Sequence, residues 1–171
     1  MAAEHLLSLG HRRIGFISGE EDSVADASDR RRGFLCLLEA AGSSVPHDLI
    51  LPGNFNYSEG YAAAKSILSH PDPPTALFAA NDYSALGVMA AASDLGISVP
   101  EQLSVIGFDD IAEAATTKPA LTTIRNPIIA MGRQAAELLI AHIAGDPVAP
   151  VDYLHQPEVI VRGTTTPAPR A

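Results

Sequence analysis

A doubly wound α/β fold with a mostly parallel sheet is predicted by three features of this 171-residue chain. Short apolar runs recur along it, and each is followed by a segment with helical periodicity, so strands and helices alternate. The runs are apolar almost throughout, which is how strands covered on both faces read. A composition of 47% hydrophobic and 18% charged residues supplies one ordinary globular core.

The elements follow in order. A helix over residues 3–9 ends at Gly10, and Ile14 to Ile17 form the first strand. Asp29 is positioned as the N-cap of the next helix, whose apolar stripe is Phe34, Leu37, Leu38 and Ala41, with Gly42 ending it. Leu49 to Leu51 make a weak strand stopped by Pro52 and Gly53. A helix from Ser58 to Ser69 turns Tyr61, Ala64, Ile67 and Leu68 inward, and the HPDPP stretch after it is a stiff connection. Ala76 to Ala80 are the third strand, Ser84 to Leu95 an alanine-rich helix, and Leu103 to Phe108 the fourth strand. A short helix near Ile111 to Ala115 precedes a fifth strand, Leu121 to Ile124. The rhythm then changes: a helix from Ile128 to Ala144, a proline-rich surface stretch, a last strand Val159 to Val161 and a Thr/Pro tail.

Composition excludes several classes. One cysteine, Cys36, permits no internal disulfide, and in mid-helix between Leu35 and Leu37 it reads as an inert thiol; it suits a reducing compartment, and the cytoplasm is the expectation. No apolar run is long enough to span a bilayer, and the basic residues near Met1 follow its apolar stretch, the reverse of a signal peptide. Eleven Lys+Arg against 20 Asp+Glu leave a net charge of −9, which repels a phosphate backbone. There is no GxSxG, GxxxxGK[ST] or HExxH motif and no GxG pair, so neither a cofactor nor a nucleophilic centre is expected. The six histidines are scattered beside loops and read as surface residues. No His or third carboxylate stands at ligand spacing from Asp109 and Asp110, which argues against a metal.

In open α/β sheets the ligand lies beyond the carboxyl ends of the strands. The residues there are Asp26 and Arg30 after the first strand, Phe55 after the second, Asn81 and Asp82 after the third, Asp109 and Asp110 after the fourth and Asn126 after the fifth. Carboxylate, amide and guanidinium groups make paired hydrogen bonds to neighbouring hydroxyls, and an aromatic face packs on sugar C–H bonds, so the set suits a small polar ligand held without being transformed. Asn81 and Asp82 serve equally well as helix caps, Asp109 and Asp110 as turn residues, and Phe55 as loop packing. Arg30 lies one helical turn before Phe34 on the apolar side, unlike the solvated run of Arg31 and Arg32.

The strings EHLLSLGHRRIGFISG, DRRRGFLCLLEAAG, PPTALFAANDYSALGVMAAASDLGISVPEQLSVIGFDD, PALTTIRNP and VIVRGTT resemble, in order and spacing, the effector-binding domain of the LacI/GalR family of bacterial transcriptional repressors. That family shares its fold with periplasmic sugar-binding proteins. The resemblance runs from residue 3 to about residue 166, and the block containing FAANDYSALG and VIGFDD is its specific part. It implies that Arg30, three residues before Gly33, clamps sugar hydroxyls or a corepressor, that Phe55 forms part of the cleft wall, and that Asn81 and Asp109 are the polar pair after the third and fourth strands. Asn126 falls where many relatives carry Gln or another polar residue, and Asp26 at a variable position.

It further implies a homodimer through the helix after AND and the segment Thr117 to Leu121, with Tyr83, Ser84, Gly87, Ala91 and Leu121 at the interface; packing of that helix on its own sheet accounts for its small residues equally well. Full family members carry a helix-turn-helix headpiece, a hinge and an N-terminal lobe ahead of the matched region, and DNA is bound through that headpiece. The expected division is therefore a C-terminal lobe at 1–126 and 151–166, a helix at 127–150 crossing to the other lobe, and a tail at 167–171. The stripe Met131, Leu138, Leu139 and Ile143 is then expected to pack on another copy, fold back or stay mobile. Other classes compatible with the sequence are a free-standing binding or interaction module and a small enzyme using Asp109 or Asp110 as a base.

Overall fold

The computed structural model describes residues 1–19, 25–147 and 156–169, with the side chains of residues 25 and 26 excepted. Strands β1 (Ile14–Ser18), β2 (Ile50–Pro52), β3 (Ala76–Ala79) and β4 (Ser104–Ile106) form a parallel sheet in the order β2-β1-β3-β4. Every residue of β1 and β3 is buried, and their register pairs Ile14 with Ala76 and Phe16 with Phe78. Beside β4 the chain returns as β5 (Thr123–Arg125), tied by Gly107 N–H to Thr122 O at 3.0 Å and Asp109 N–H to Ile124 O at 2.8 Å. β6 (Glu158–Ile160) pairs antiparallel with β5, Arg125 opposite Glu158.

Alternation along the strands builds two cores. On one face, Phe16, Phe78 and Ile106 meet α1 (Ala2–Ser8) and α2 (Ala25–Ala40) through Leu6, Phe34 and Leu38. The rings of Phe16, Phe34 and Phe78 stand 4.8 to 5.3 Å apart. On the other face, Ile17, Leu77 and Val105 meet α3 (Tyr57–Leu68) and α4 (Asp82–Asp94) through Ala64, Ile67, Val88 and Ala91. Glycine lets α3 and α4 touch: a Cβ on Gly87 would lie 2.3 Å from Tyr57 O, and one on Gly60 would lie 2.7 Å from the Ser84 backbone.

Two expectations need correction, and a third lies outside the described residues. Asp29 is no N-cap: α2 begins at Ala25, and Asp29 lies inside it, bridged to Arg32 one turn on at 2.7 Å. The last strand is Glu158–Ile160 because antiparallel pairing with β5 sets its register. Of the proline-rich stretch, residues 148–155 lie outside the described residues, and with them most of the expected 151–166 segment's start.

His11 departs most from the expected surface role. It is fully buried, with Nδ1 2.9 Å from Thr75 Oγ1 and Nε2 3.0 Å from both Ser104 Oγ and Thr166 O. Because a carbonyl only accepts, Nε2 carries the proton and Nδ1 accepts from Thr75. One imidazole thus joins the entries of β1, β3 and β4 to the C-terminal tail. His5 adds a bond from Nε2 to Thr165 Oγ1 at 3.0 Å.

The long helix α5 (Ile128–Ala144) has no buried residue, and Ile129 and Ile143 are 82% and 76% exposed. It does not fold back onto the sheet.

Burial holds the His11 pKa below its ordinary 6.5, so its contribution to stability is present above that value and lost as pH falls through the folded pKa. His11→Ala is expected to cost about 1–3 kcal/mol in urea unfolding at pH 7.5, by leaving the buried Ser104 hydroxyl and the half-buried Thr166 carbonyl short of a partner. It should also abolish the acid-side loss specific to this residue.

Candidate ligand site at the carboxyl ends of the strands

With strand order 2-1-3-4, the chain leaves β1 toward one side of the sheet and β3 toward the other. The carboxyl ends of β1 and β3 therefore bound the crevice where such sheets bind ligands. Arg30 comes to this point from α2. Its guanidinium lies 3.7 Å from the Phe108 ring centroid and 5.8 Å from that of Phe55, and Nη1 donates to Ala80 O at the end of β3. A stacked guanidinium whose edge is held by a carbonyl is fixed in orientation.

Phe55 follows Asn54 in a left-handed turn, φ 56° after 47°. Its ring lies against Gly19, where a Cβ would sit 2.1 Å from the ring, so the loop after β1 needs glycine there. Asn81 ties this turn to β3: Nδ2 donates to Phe55 O at 3.0 Å, while Oδ1 accepts from Ser84 N–H at 2.9 Å as the N-cap of α4. The capping role is thus realised, and the amide keeps one further donor and one lone pair for a ligand.

The turn after β4 is strained. Asp109 and Asp110 have φ of 111° and 60°, where non-glycine residues are disfavoured. Asp109 is half-buried. The Asp110 carboxylate takes Arg125 Nε at 2.7 Å and Arg162 Nη2. Burial raises its pKa, yet the bonds from Arg162 and Arg125 outweigh burial and hold it below the ordinary carboxylate value. Asp110 is therefore a structural clamp between β4 and the β5-β6 pair. Beneath the turn lies Asp82, fully buried, accepting from Thr123 Oγ1 at 2.6 Å and Ile111 N–H at 2.9 Å. Burial, opposed by those bonds, pushes its pKa up to about 6.

Not all the residues singled out in the sequence come together. Arg30 and Phe55 join Phe108 and Asn81 around the ends of β1 and β3. Asp109 and Asn126 line an open cleft of about 940 Å³ that continues along the apolar start of α5 at Ile128 and Ile129. The backbone of Asp26 is in the first turn of α2, and its side chain lies outside the described residues. Sequence reasoning missed Phe108, although an aromatic at the end of an apolar strand beside two aspartates was a usable signal. It also missed Ser18, whose buried Oγ, at the end of β1, has no hydrogen-bond partner among the described residues.

The interface set is placed differently from expectation. Ser84, Gly87, Ala91 and Leu121 are buried within the subunit, against α3 and the sheet, because the small residues of α4 serve its own packing. Tyr83 alone of the five is exposed, at 48%.

A periplasmic binding protein-like domain model matches residues 3–165, and the chain belongs to that family. Within it the likeness is to LacI-type regulators. The HTH-type transcriptional repressor PurR of Escherichia coli is 36% identical over 169 residues, which are 99% of this chain and 49% of that protein, so the chain spans about half the length of the curated relative. A LacI family transcriptional regulator from Mycobacterium smegmatis superposes with a TM-score of 0.85 at 36% identity, over 97% of this chain and 62% of that one. The transcriptional regulator CelR, in a complex with cellobiose, does so with 0.86 at 35% identity, over 95% and 49%. The LacI-type effector-binding fold expected from the sequence is therefore confirmed.

Ser18→Ala is expected to leave the melting temperature unchanged or raise it, since it removes a buried hydroxyl with no partner among the described residues. A loss of more than a few degrees by differential scanning calorimetry would show that Ser18 has a partner in the folded chain.

Proposed function

We propose that this chain is the effector-binding part of a LacI-type transcriptional regulator, that it binds a neutral sugar at the carboxyl ends of β1, β3 and β4, and that it catalyses no reaction. The observation that carries this reading is Arg30, held over the Phe108 ring at the strand switch point, while Asp109, next in sequence to Phe108, lines a cleft with Asn126. Fixed guanidinium and carboxylate groups match the paired hydroxyls of a sugar, and the ring of Phe55 offers an apolar face for its C–H bonds. CelR, similar over 95% of this chain, holds cellobiose. In the whole regulator, ligand binding would shift a two-state equilibrium that sets DNA affinity through parts of the molecule other than this acidic domain.

The division into a C-terminal lobe at 1–126 and 151–166, a crossing helix at 127–150 and a tail at 167–171 accords with α5, which leaves the sheet and buries none of its residues. A site with one wall binds weakly. Homodimerisation is assigned to the outer side of α4, where Tyr83 is exposed and Leu86, Met89 and Ala90 border a hollow continued by Thr117 and Pro119.

Thermal-shift measurements against mono- and disaccharides including cellobiose, with inorganic phosphate as the anion control, test the ligand. Stabilisation by a neutral sugar, lost at least tenfold in affinity in Asp109→Asn, is expected; stabilisation by phosphate alone overturns the assignment. Sedimentation should show a dimer that Met89→Glu converts to a folded monomer. A wild-type monomer at high micromolar concentration would remove the dimer from the proposal.

A further inference from the structure

The 108–111 turn carries two consecutive left-handed aspartates, a conformation that non-glycine residues hold only where their surroundings impose it. Asp110 is held from outside by Arg125 and Arg162. From inside, the turn rests on Asp82, the first residue of α4. Asp82 N–H donates to Phe108 O at 2.8 Å, its Oδ2 accepts from Ile111 N–H at 2.9 Å, and the Asp110 N–H also points to this carboxylate. Oδ1 reaches across to Thr123 of β5 at 2.6 Å. The approach is so close that a Cβ on Gly107 would lie 2.2 Å from Oδ1. One buried residue therefore binds both ends of the turn, the Phe108 end through its backbone N–H and the Ile111 end through its carboxylate, which also holds the neighbouring strand.

We propose that Asp82 is a positioning residue of the ligand site: its buried carboxylate imposes the left-handed course that presents Asp109, so ligand affinity is governed from within α4. The inference rests on the ligand-binding reading above and adds to it a residue that no ligand need touch. An ionised carboxylate accepts every donor aimed at it, whereas the neutral acid gives up acceptor capacity and brings a proton of its own. The charged groups around it are Asp109 and Asp110 in the turn, Arg125 on β5 and Arg162 after β6, the last two engaged by Asp110. Deprotonation of Asp82 near pH 6 thus completes the turn. Its contribution to global stability runs the other way, present below 3.8 and lost as pH rises through about 6. Site order and fold stability therefore have opposite pH dependences at this residue, which a merely structural aspartate would not produce.

The test begins without ligand. Amide exchange followed by NMR in Asp82→Asn is expected to rise at least tenfold at Asp109 and Ile111, with β1 amides still protected; unchanged exchange overturns the proposal. Should this variant not fold, the wild-type chain decides: the Ile111 amide should titrate with a midpoint near 6, together with the Asp82 carboxyl carbon, and a flat Ile111 signal overturns it. Thr123→Val, lacking one donor, should reproduce a smaller rise in exchange. Cellobiose titrations then supply the ligand arm. Affinity in the wild type should fall as pH drops through about 6, with a flat profile in Asp82→Asn and no further loss when Asp109→Asn is added. Additive losses overturn the proposal. If cellobiose fails to bind the wild type, the ligand assignment falls with it, and the exchange data decide the role of Asp82 by themselves.

Discussion

Parallel pairing of β1 with β3, both buried on two faces, is the constraint on which the rest of the structure depends. Parallel neighbours cannot be joined by a hairpin, so each connection crosses a face as a helix, and the helices on opposite faces separate at the β1/β3 junction. That separation opens the crevice that Arg30 enters from one face and Asn81 from the other. At the opposite end of the sheet, the same strands leave their polar entries beneath the tail, and the buried His11 satisfies them. One end is closed by an imidazole, and at the other the strand ends open into the cleft.

The carboxyl end is ordered by charge as much as by packing. Five acidic or basic residues meet around one short turn, and their roles differ by burial and partner. Asp110 is ionised and bridged by two arginines, which locks the β5-β6 pair onto β4. Asp82 is buried under the turn and bonded to backbone and hydroxyl donors. Asp109, adjacent to both and half-buried, lines the cleft. Three aspartates of like formal charge are thus separated into a clamp, a buried support and a cleft-lining residue, and Gly107 is the opening that lets the support come close enough.

The alanine-rich helices α4 and α5 illustrate opposite outcomes of similar composition. The small residues of α4 bring it into van der Waals contact with α3 and the sheet, leaving Tyr83 and Met89 outward. By contrast, α5 keeps Ile128, Ile129, Leu139, Ile140 and Ile143 exposed among the described residues. An apolar helix of this length with none of its residues buried presents an apolar face that the described residues do not cover.

Local sequence determined a good deal of this. Apolar runs separated by helical periodicity located β1, β3 and β4 to within a residue or two, because burial on both faces tolerates few polar residues. The order of elements, the strand-end positions of Arg30, Phe55, Asn81 and Asp109, and the LacI-type strings were legible for the same reason. Only the tertiary structure decided the rest. That His11 is core, that Gly87 and Ala91 serve the subunit's own packing, that Phe108 is the ring under Arg30, and that Asp82 supports the 108–111 turn all depend on residues more than 20 positions apart meeting in space. Spacing along the chain carries period and local capping. It does not carry the pairing of β1 with β3, and that pairing chooses which polar residue each buried group meets.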